Sequence, residues 1–302
     1  MGITRGAAKL LGITLKDKGL SGSVITFGVM GIQSQYDELR KMFDDIGFPY
    51  RKLGTDEILI DNLTQFKDTV HQNILFKMVG FTKIDSIDYF PGEKPTFTRD
   101  LNKPLPADLL FKYDLVYDGG TTEHCFDIKQ VLSNAVNLVN EGGMIMHHLP
   151  MNKAIDHGFY QFSPTLFFDF YGANGFVDME MKIHYQNAAK ESYFTYDPQK
   201  DRPLPFSFGY DDVHIFFSAR KRHNQEIINP IQNSYRRTFG DKKISPQKKE
   251  QNSFWKLIKR KILKSLFPKN HIIIKKKIDY LVDKRRLRRR LSIIKKHSIS
   301  LY

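Results

Sequence analysis

The sequence predicts a mostly parallel α/β domain followed by a basic helical tail, and three observations carry that reading. Short β-branched and aromatic runs alternate with segments of helical spacing, at the interval of strand–helix–strand units. The apolar runs end in acids, glycines and histidines, where an open parallel sheet keeps its ligand. The charge is also divided. After Ser218 there are 26 Lys+Arg against 5 Asp+Glu, and before it 21 against 28, so a mildly acidic region precedes a strongly basic one.

The elements follow in order. Residues 24–27 (Val-Ile-Thr-Phe) form the first strand, leading into Gly28-Val29-Met30-Gly31. Tyr36, Leu39 and Phe43 have helical spacing, residues 49–62 read as irregular, and a second helix covers 63–79. Residues 84–89 alternate like a strand and carry two acids, Asp85 and Asp88. A short strand at 96–98 leads to Asp100-Leu101-Asn102. The run from Tyr113 enters Asp118-Gly119-Gly120-Thr121-Thr122-Glu123-His124. A helix follows (Val131, Leu132, Ala135, Val136, Leu138, Val139), with Glu141-Gly142-Gly143 as its stop. Residues 144–150 form the next strand, and 176–185 and 212–219 form two long ones joined by a loop rich in Asp, Pro, Lys and Gly. No internal repeat is present.

Composition sets the limits. At 302 residues, 41% apolar and 13% aromatic, the chain can bury one substantial core with room for an appendage. No run of about 18 apolar residues exists to span a membrane. Residues 1–20 lack the apolar stretch of a signal peptide and read as an N-terminal extension, with the main domain at 21–222 and the tail at 223–302. The single cysteine, Cys125, excludes an intrachain disulfide and fits a reducing cytosol. With no matched base, Cys125 reads as a packed thiol rather than a nucleophile. The expected location is cytoplasmic, peripheral at the inner face of the cell membrane.

The strand–helix–Gly-Gly–strand unit, with Asp114-Leu115-Val116, Glu123-His124, Asp127 and Glu141-Gly142-Gly143, resembles the fourth and fifth strands of the class I S-adenosylmethionine-dependent methyltransferases. Residues 156–164 (Asp-His-Gly-Phe-Tyr-Gln-Phe-Ser-Pro) are similar to a largely uncharacterised bacterial subgroup of them. The resemblance covers roughly residues 21–221. It implies a Rossmann-like sheet closed by an antiparallel C-terminal hairpin, and S-adenosylmethionine as cofactor. One departure is clear: the family's first loop usually reads Gly-x-Gly-x-Gly, whereas here Gly28 and Gly31 stand alone. The distance from that loop to Asp88 also implies an insertion.

Carried over residue by residue, the resemblance puts Gly28 in the cofactor loop and Asp88 on the ribose. A carboxylate there accepts from both hydroxyls, and Asp85 is the competing acid. Asp100, beside Leu101, matches the adenine contact, although an Asp there also caps its own turn. Asp118 and Gly119 match the loop beside the cofactor's methionine part, where a glycine admits close approach. His124 and His157 are the general-base candidates, since imidazole titrates near neutral pH; structural histidines are the alternative. Glu123 reads as a complement to a helix start. His148, Tyr160 and Gln161 are expected to face the substrate. No metal is expected, because a tight motif such as His-Glu-x-x-His is missing and His147 and His148 point to opposite faces of a strand.

In the tail, Trp255, Ile258, Ile262 and Leu266 fall on one helical face with cations opposite, and Pro268 ends the run. Ile274, Ile278, Leu281, Leu287, Leu291 and Ile294 repeat the theme. Aromatic and aliphatic groups opposite Lys and Arg suit a helix lying on an anionic membrane, each cation contributing about 1 kcal/mol there. Residues 254–296 are therefore expected to attach the chain to such a surface. Nucleic acid fits less well, because the acidic region opposes a polyanion and no recognition motif appears. A solvated or partner-docking tail is the third reading. The expected function is methyl transfer to a small molecule or glycan precursor, work done largely by positioning. The alternative is a non-catalytic scaffold that keeps the fold and rests on the membrane through its tail.

Overall fold

The structure, a computed structural model, describes residues 2–61, 69–186, 191–197, 212–239 and 299–300. In chain order its elements are β1 (Gly2–Ile3), α1 (Arg5–Lys18), β2 (Gly22–Phe27), β3 (Gly31–Ile32), α2 (Tyr36–Asp45), α3 (Thr55–Asp61), β4 (Val70–His71), α4 (Gln72–Met78), β5 (Phe81–Asp88), β6 (Phe97–Thr98), β7 (Tyr113–Asp118), α5 (Ile128–Leu138), β8 (Val139–Asn152), α6 (Pro164–Ala173), β9 (Phe176–Gln186), β10 (Ser192–Tyr196), β11 (Asp212–Lys221), α7 (Asn233–Phe239) and β12 (Ile299–Ser300). One unit comprises Met1–Gln232 with Ile299–Tyr302, and a second comprises Asn233–Ser298. The amphipathic stretches at 254–296 lie outside the described residues.

The main sheet has the order β6–β5–β2–β7–β8–β11–β9–β10–β12. From β6 to β8 every pair is parallel. β11 is antiparallel to both β8 and β9, so it enters inverted between two strands that share a direction. The expected hairpin, β9 with β11, therefore closes a Rossmann-like sheet. Central parallel strands must be apolar on both faces, and β2 is: Val24, Ile25 and Phe27 are fully buried.

Alternation in β7, β8 and β11 divides the core. Tyr117, Met146 and Phe216 face a layer built from α1, α2 and α4. His147 and Phe217 face the other way, onto Phe167 and Tyr171 of α6.

Five expectations need correction. Residues 1–20 are not an appendage. In α1, Ala7, Ala8, Leu10 and Leu11 have no exposure, Thr4 Oγ1 caps the Ala7 N–H, and Gly19 ends the helix in the left-handed region at φ +62°, where glycine is favoured. Glu141-Gly142-Gly143 is not a helix stop either. α5 ends at Leu138, and the glycines lie inside β8, where the β7 register jumps from Tyr113–Val139 to Leu115–Met144. Gly142 takes φ +81°, and a Cβ on Gly143 would lie 2.9 Å from the Asp114 carbonyl, so the pair absorbs this bulge. Of the helix expected at 63–79, residues 63–68 lie outside the described residues, Val70–His71 form the strand β4, and the helix runs only from Gln72 to Met78, where the His71 ring accepts from the Asn73 N–H and caps it. The implied insertion is real: β3, α2, α3, β4 and α4 stand between β2 and β5, with β1, β3 and β4 forming a small separate sheet. α3 and β10 occupy stretches read as loop.

Candidate functional site

Two clefts open beyond the carboxyl ends of the parallel strands, where open α/β sheets bind ligands. They flank the loop at residues 119–124. The first, about 440 Å³, is lined by Asp88, Tyr89, Phe90, Asp100, Leu101 and His124 among others. The second, about 490 Å³, is lined by Gly119, Gly120, Glu123, His148 and His157, with Gly2 and Thr4 from the chain start.

Asp88 ends β5 with Oδ2 accepting from the Val29 N–H (3.3 Å) and Oδ1 from the Phe90 N–H (3.0 Å). It therefore joins the first loop to the first cleft. The competing acid is accounted for: Asp85 accepts from the Tyr113 hydroxyl at 2.8 Å and pairs with Lys83 at 3.4 Å. Asp100 lines the same cleft, and its Oδ1 accepts from both the side chain and the backbone N–H of Asn102 (2.9 Å each). Those bonds hold its carboxyl below the usual range. Gly28 takes φ +80°, a conformation suited to glycine, and donates to the Ile87 carbonyl at 2.7 Å. Met30 fills the place of the missing loop glycine. Its N–H donates to Gln72 Oε1 at 2.9 Å, and its sulfur lies 2.6 Å from where a Gly119 Cβ would stand.

Asp118 was expected at the cofactor, and the structure turns it inward. It has no exposure. It accepts from the Thr121 N–H (3.0 Å), the Thr122 hydroxyl (2.5 Å) and His147 Nδ1 (2.9 Å). Its role is to shape the loop that carries Gly119 and Glu123. Tyr160 and Gln161 are likewise corrected: the Tyr160 hydroxyl donates to the Phe126 carbonyl (2.9 Å), and Gln161 Oε1 accepts from the Ala154 N–H (3.2 Å). Both fasten the 153–162 loop and line neither cleft. Lys153 and Asp156 in that loop have positive φ, strain of the kind that clusters at sites. Cys125 donates weakly to the Thr121 carbonyl, and burial pushes its thiol up to about 12, so it is a packed thiol.

His124 and His157 fall together on one carboxylate. Their Nε2 atoms lie 3.9 and 3.7 Å from Glu123 Oε1, with ring centroids 5.1 Å apart. Glu123 is 1% exposed, and among the described residues its Oε2 has no hydrogen-bond partner. Burial first, then the charge of Asp118, pushes its carboxyl up to about 8. Sequence reading gave Glu123 only a helix-start role; its proximity to His157 depends on the return of a separate loop.

His148 faces the second cleft and heads a buried chain. His148 Nε2 meets His184 Nδ1 at 3.0 Å, and His184 Nε2 meets Glu191 Oε2 at 3.3 Å. His214 stacks on His148 at 5.0 Å. Burial holds His148 well below its usual range and takes His214 to about 4. His184, Glu191 and His214 were missed, because only the β8–β11–β9 pairing brings them beside His148.

The inverted strand and the clefts at the parallel strand ends define a Rossmann-like sheet with its candidate site at the strand ends. No protein-family model matches the chain, and no curated protein matches it in sequence. Similar solved structures include the 1,6-didemethyltoxoflavin-N1-methyltransferase of Burkholderia thailandensis with bound S-adenosylhomocysteine (11% identity, 72% of this chain and 80% of that one, TM-score 0.35). An S-adenosylmethionine-dependent methyltransferase from Archaeoglobus fulgidus matches over 72% and 96% of the two chains (11%, 0.36). A phosphoethanolamine N-methyltransferase from Haemonchus contortus matches over 71% and 52% (10%, 0.35).

Proposed function

We propose that this chain is an S-adenosylmethionine-dependent methyltransferase acting on a small-molecule or glycan-precursor acceptor. The observation that supports it is the placement of Asp88, whose carboxylate lines the first cleft beside Asp100 and Leu101 while touching the loop after β2. In this reading the first cleft takes adenosine, with the ribose hydroxyls donating to Asp88 and the Tyr89, Phe90 and Leu101 side chains meeting the base. The methyl group passes the 119–124 loop toward an acceptor in the second cleft, where the neutral His148 and, with no metal bound, His157 are the groups able to take its proton. Catalysis would be chiefly alignment.

A second reading has its own observation. The Val29 and Met30 N–H groups of the first loop already have partners in Asp88 and Gln72, which favours a non-catalytic scaffold that kept the fold. Thermal unfolding of the full chain with S-adenosylmethionine and with S-adenosylhomocysteine separates the two. Ligand at about a hundredfold its Kd stabilises by about 2.7 kcal/mol, a shift of a few degrees, and Asp88→Ala should abolish it. Absence of any shift at millimolar ligand selects the scaffold. The tail, on the strength of its sequence pattern alone, is proposed to rest on anionic membrane, and co-sedimentation with anionic against neutral vesicles tests that.

A further inference from the structure

We propose that Glu123, His124 and His157 form a binding site for a divalent transition-metal ion, seated between the two clefts. One ligand atom from each lies within 4.8 Å of the others, and the Nε2–Oε1 separations are 3.9 and 3.7 Å. Ligands about 2.0–2.1 Å from a tetrahedral ion stand roughly 3.3 Å apart, so closure shortens the two Nε2–Oε1 distances by about half an ångström and brings the two imidazoles together by up to about 1.5 Å. His124 and His157 are partly exposed and free to make these movements.

The second observation is the carboxylate itself. Glu123 is almost wholly buried, it lines the second cleft, and among the described residues its Oε2 is without a partner. A buried acceptor left unpaired is costly, and an ion beside it would remove that cost. The local chain is shaped to bring the ligands together. The Phe159 N–H donates to the Glu123 carbonyl at 2.8 Å. Gly158 permits this approach, since a Cβ there would lie 2.9 Å from that same oxygen. Two imidazoles and one carboxylate with an open fourth position suit zinc, cobalt or nickel better than magnesium or calcium. The expectation of no metal rested on the missing helical motif, whereas here the third ligand arrives from a different loop.

The ion's role rests on the methyl-transfer reading, its binding does not. His124 reaches the first cleft while Glu123 and His157 reach the second. An acceptor oxygen reaching the ion from the second cleft would lose its proton more readily.

The test uses the full chain, stripped with chelator and titrated with Co2+ by visible absorption and with Zn2+ by calorimetry. One saturable site is expected, with the ligand-field bands of four-coordinate cobalt, displaced by zinc. Glu123→Gln, His124→Ala and His157→Ala should each weaken binding about tenfold or more, while His223→Ala, at a histidine bonded to Gln225, leaves it intact. An unfolding curve for each variant identifies any that fails to fold. Absence of a saturable site overturns the proposal, as does binding unchanged in folded variants. S-adenosylmethionine stabilisation without metal binding refutes the metal site alone. Metal binding lost in the variants, without any cofactor response, upholds the site and refutes the methyl-transfer role.

Discussion

His147 Nδ1 stands 2.9 Å from Asp118 Oδ2, and neither side chain has any solvent exposure. The other imidazole nitrogen meets the Tyr171 hydroxyl at 2.5 Å, so one chain of bonds ties the end of β7 to β8 and α6. Thr121 and Thr122 take the remaining capacity of the carboxylate, and through them Asp118 sets the course of the loop carrying Glu123. Removing one partner of a buried pair leaves the other uncompensated and costs about 3–5 kcal/mol. Asp118→Ala should lose stability on that scale in urea unfolding. A double-mutant cycle with His147→Ala should give a coupling of about 0.5–3 kcal/mol; additive losses would show that the contact carries no energy.

Acid should unfold this protein in two stages. Burial holds His148 well below its usual range and puts His214 at about 4, so both stay neutral in the folded state. A depressed pKa contributes stability that is present above the unfolded value, about 6.5, and is lost as pH falls toward 4. Asp118 acts lower down. Burial is the largest single influence and opposes its charge, yet the hydrogen bonds from His147, Thr122 and Thr121 and the attraction of His147 together outweigh it and hold the carboxyl below its usual range, so its contribution is lost only below about pH 4. Measured on a Glu123→Gln background, the urea midpoint should fall from pH 6.5 to 4 and fall again below it. His214→Leu should make the first decline shallower and leave the second.

Gly119→Ala should both destabilise the fold and narrow the second cleft. The new Cβ would stand 2.6 Å from the Met30 sulfur and 2.9 Å from the Tyr117 ring, with Ile3 at 3.5 Å. Met30 is able to turn aside, but Tyr117 is fully buried against Phe76 at 5.5 Å and has nowhere to go. Overpacking of this kind costs about 1–3 kcal/mol. Unchanged urea stability would mean that the β1–α1 segment yields freely above the loop.

Much of the sheet was legible because β2 contains a short β-branched and aromatic run and because β5 and β7 end in acids, Asp88 and Asp118. The inverted β11 was legible through its length and that of β9. The small elements were not. β1, β3 and β4 are two residues each, too short for a period, and α1 carries polar residues between its buried apolar positions. In the site, sequence pointed to the right loops and misjudged which side chains face outward. Asp118 and Asp88 are both strand-end acids, and only the Thr121, Thr122 and His147 contacts turn the former inward. Pairings between distant strands, such as His148 with His184, leave no local signal.

Glu123 gives the pH dependence of opposite sign. Its carboxyl is pushed from an ordinary 4.5 up to about 8 by burial first and by Asp118 second. The folded chain therefore keeps a proton that the unfolded chain releases. A raised pKa contributes stability that is full below about 4.5 and is lost as pH rises to about 8. Between pH 6.5 and 8 the neutral buried histidines no longer oppose this trend, since unfolded histidine has also lost its proton by then. In chelator, the wild-type chain should lose urea stability across that window. Glu123→Gln, which keeps the shape and has no charge to bury, should stay flat and be the more stable protein at pH 8. If the two curves run parallel, Glu123 is already ionised in the folded protein, and the buried Oε2 has a partner in solution after all.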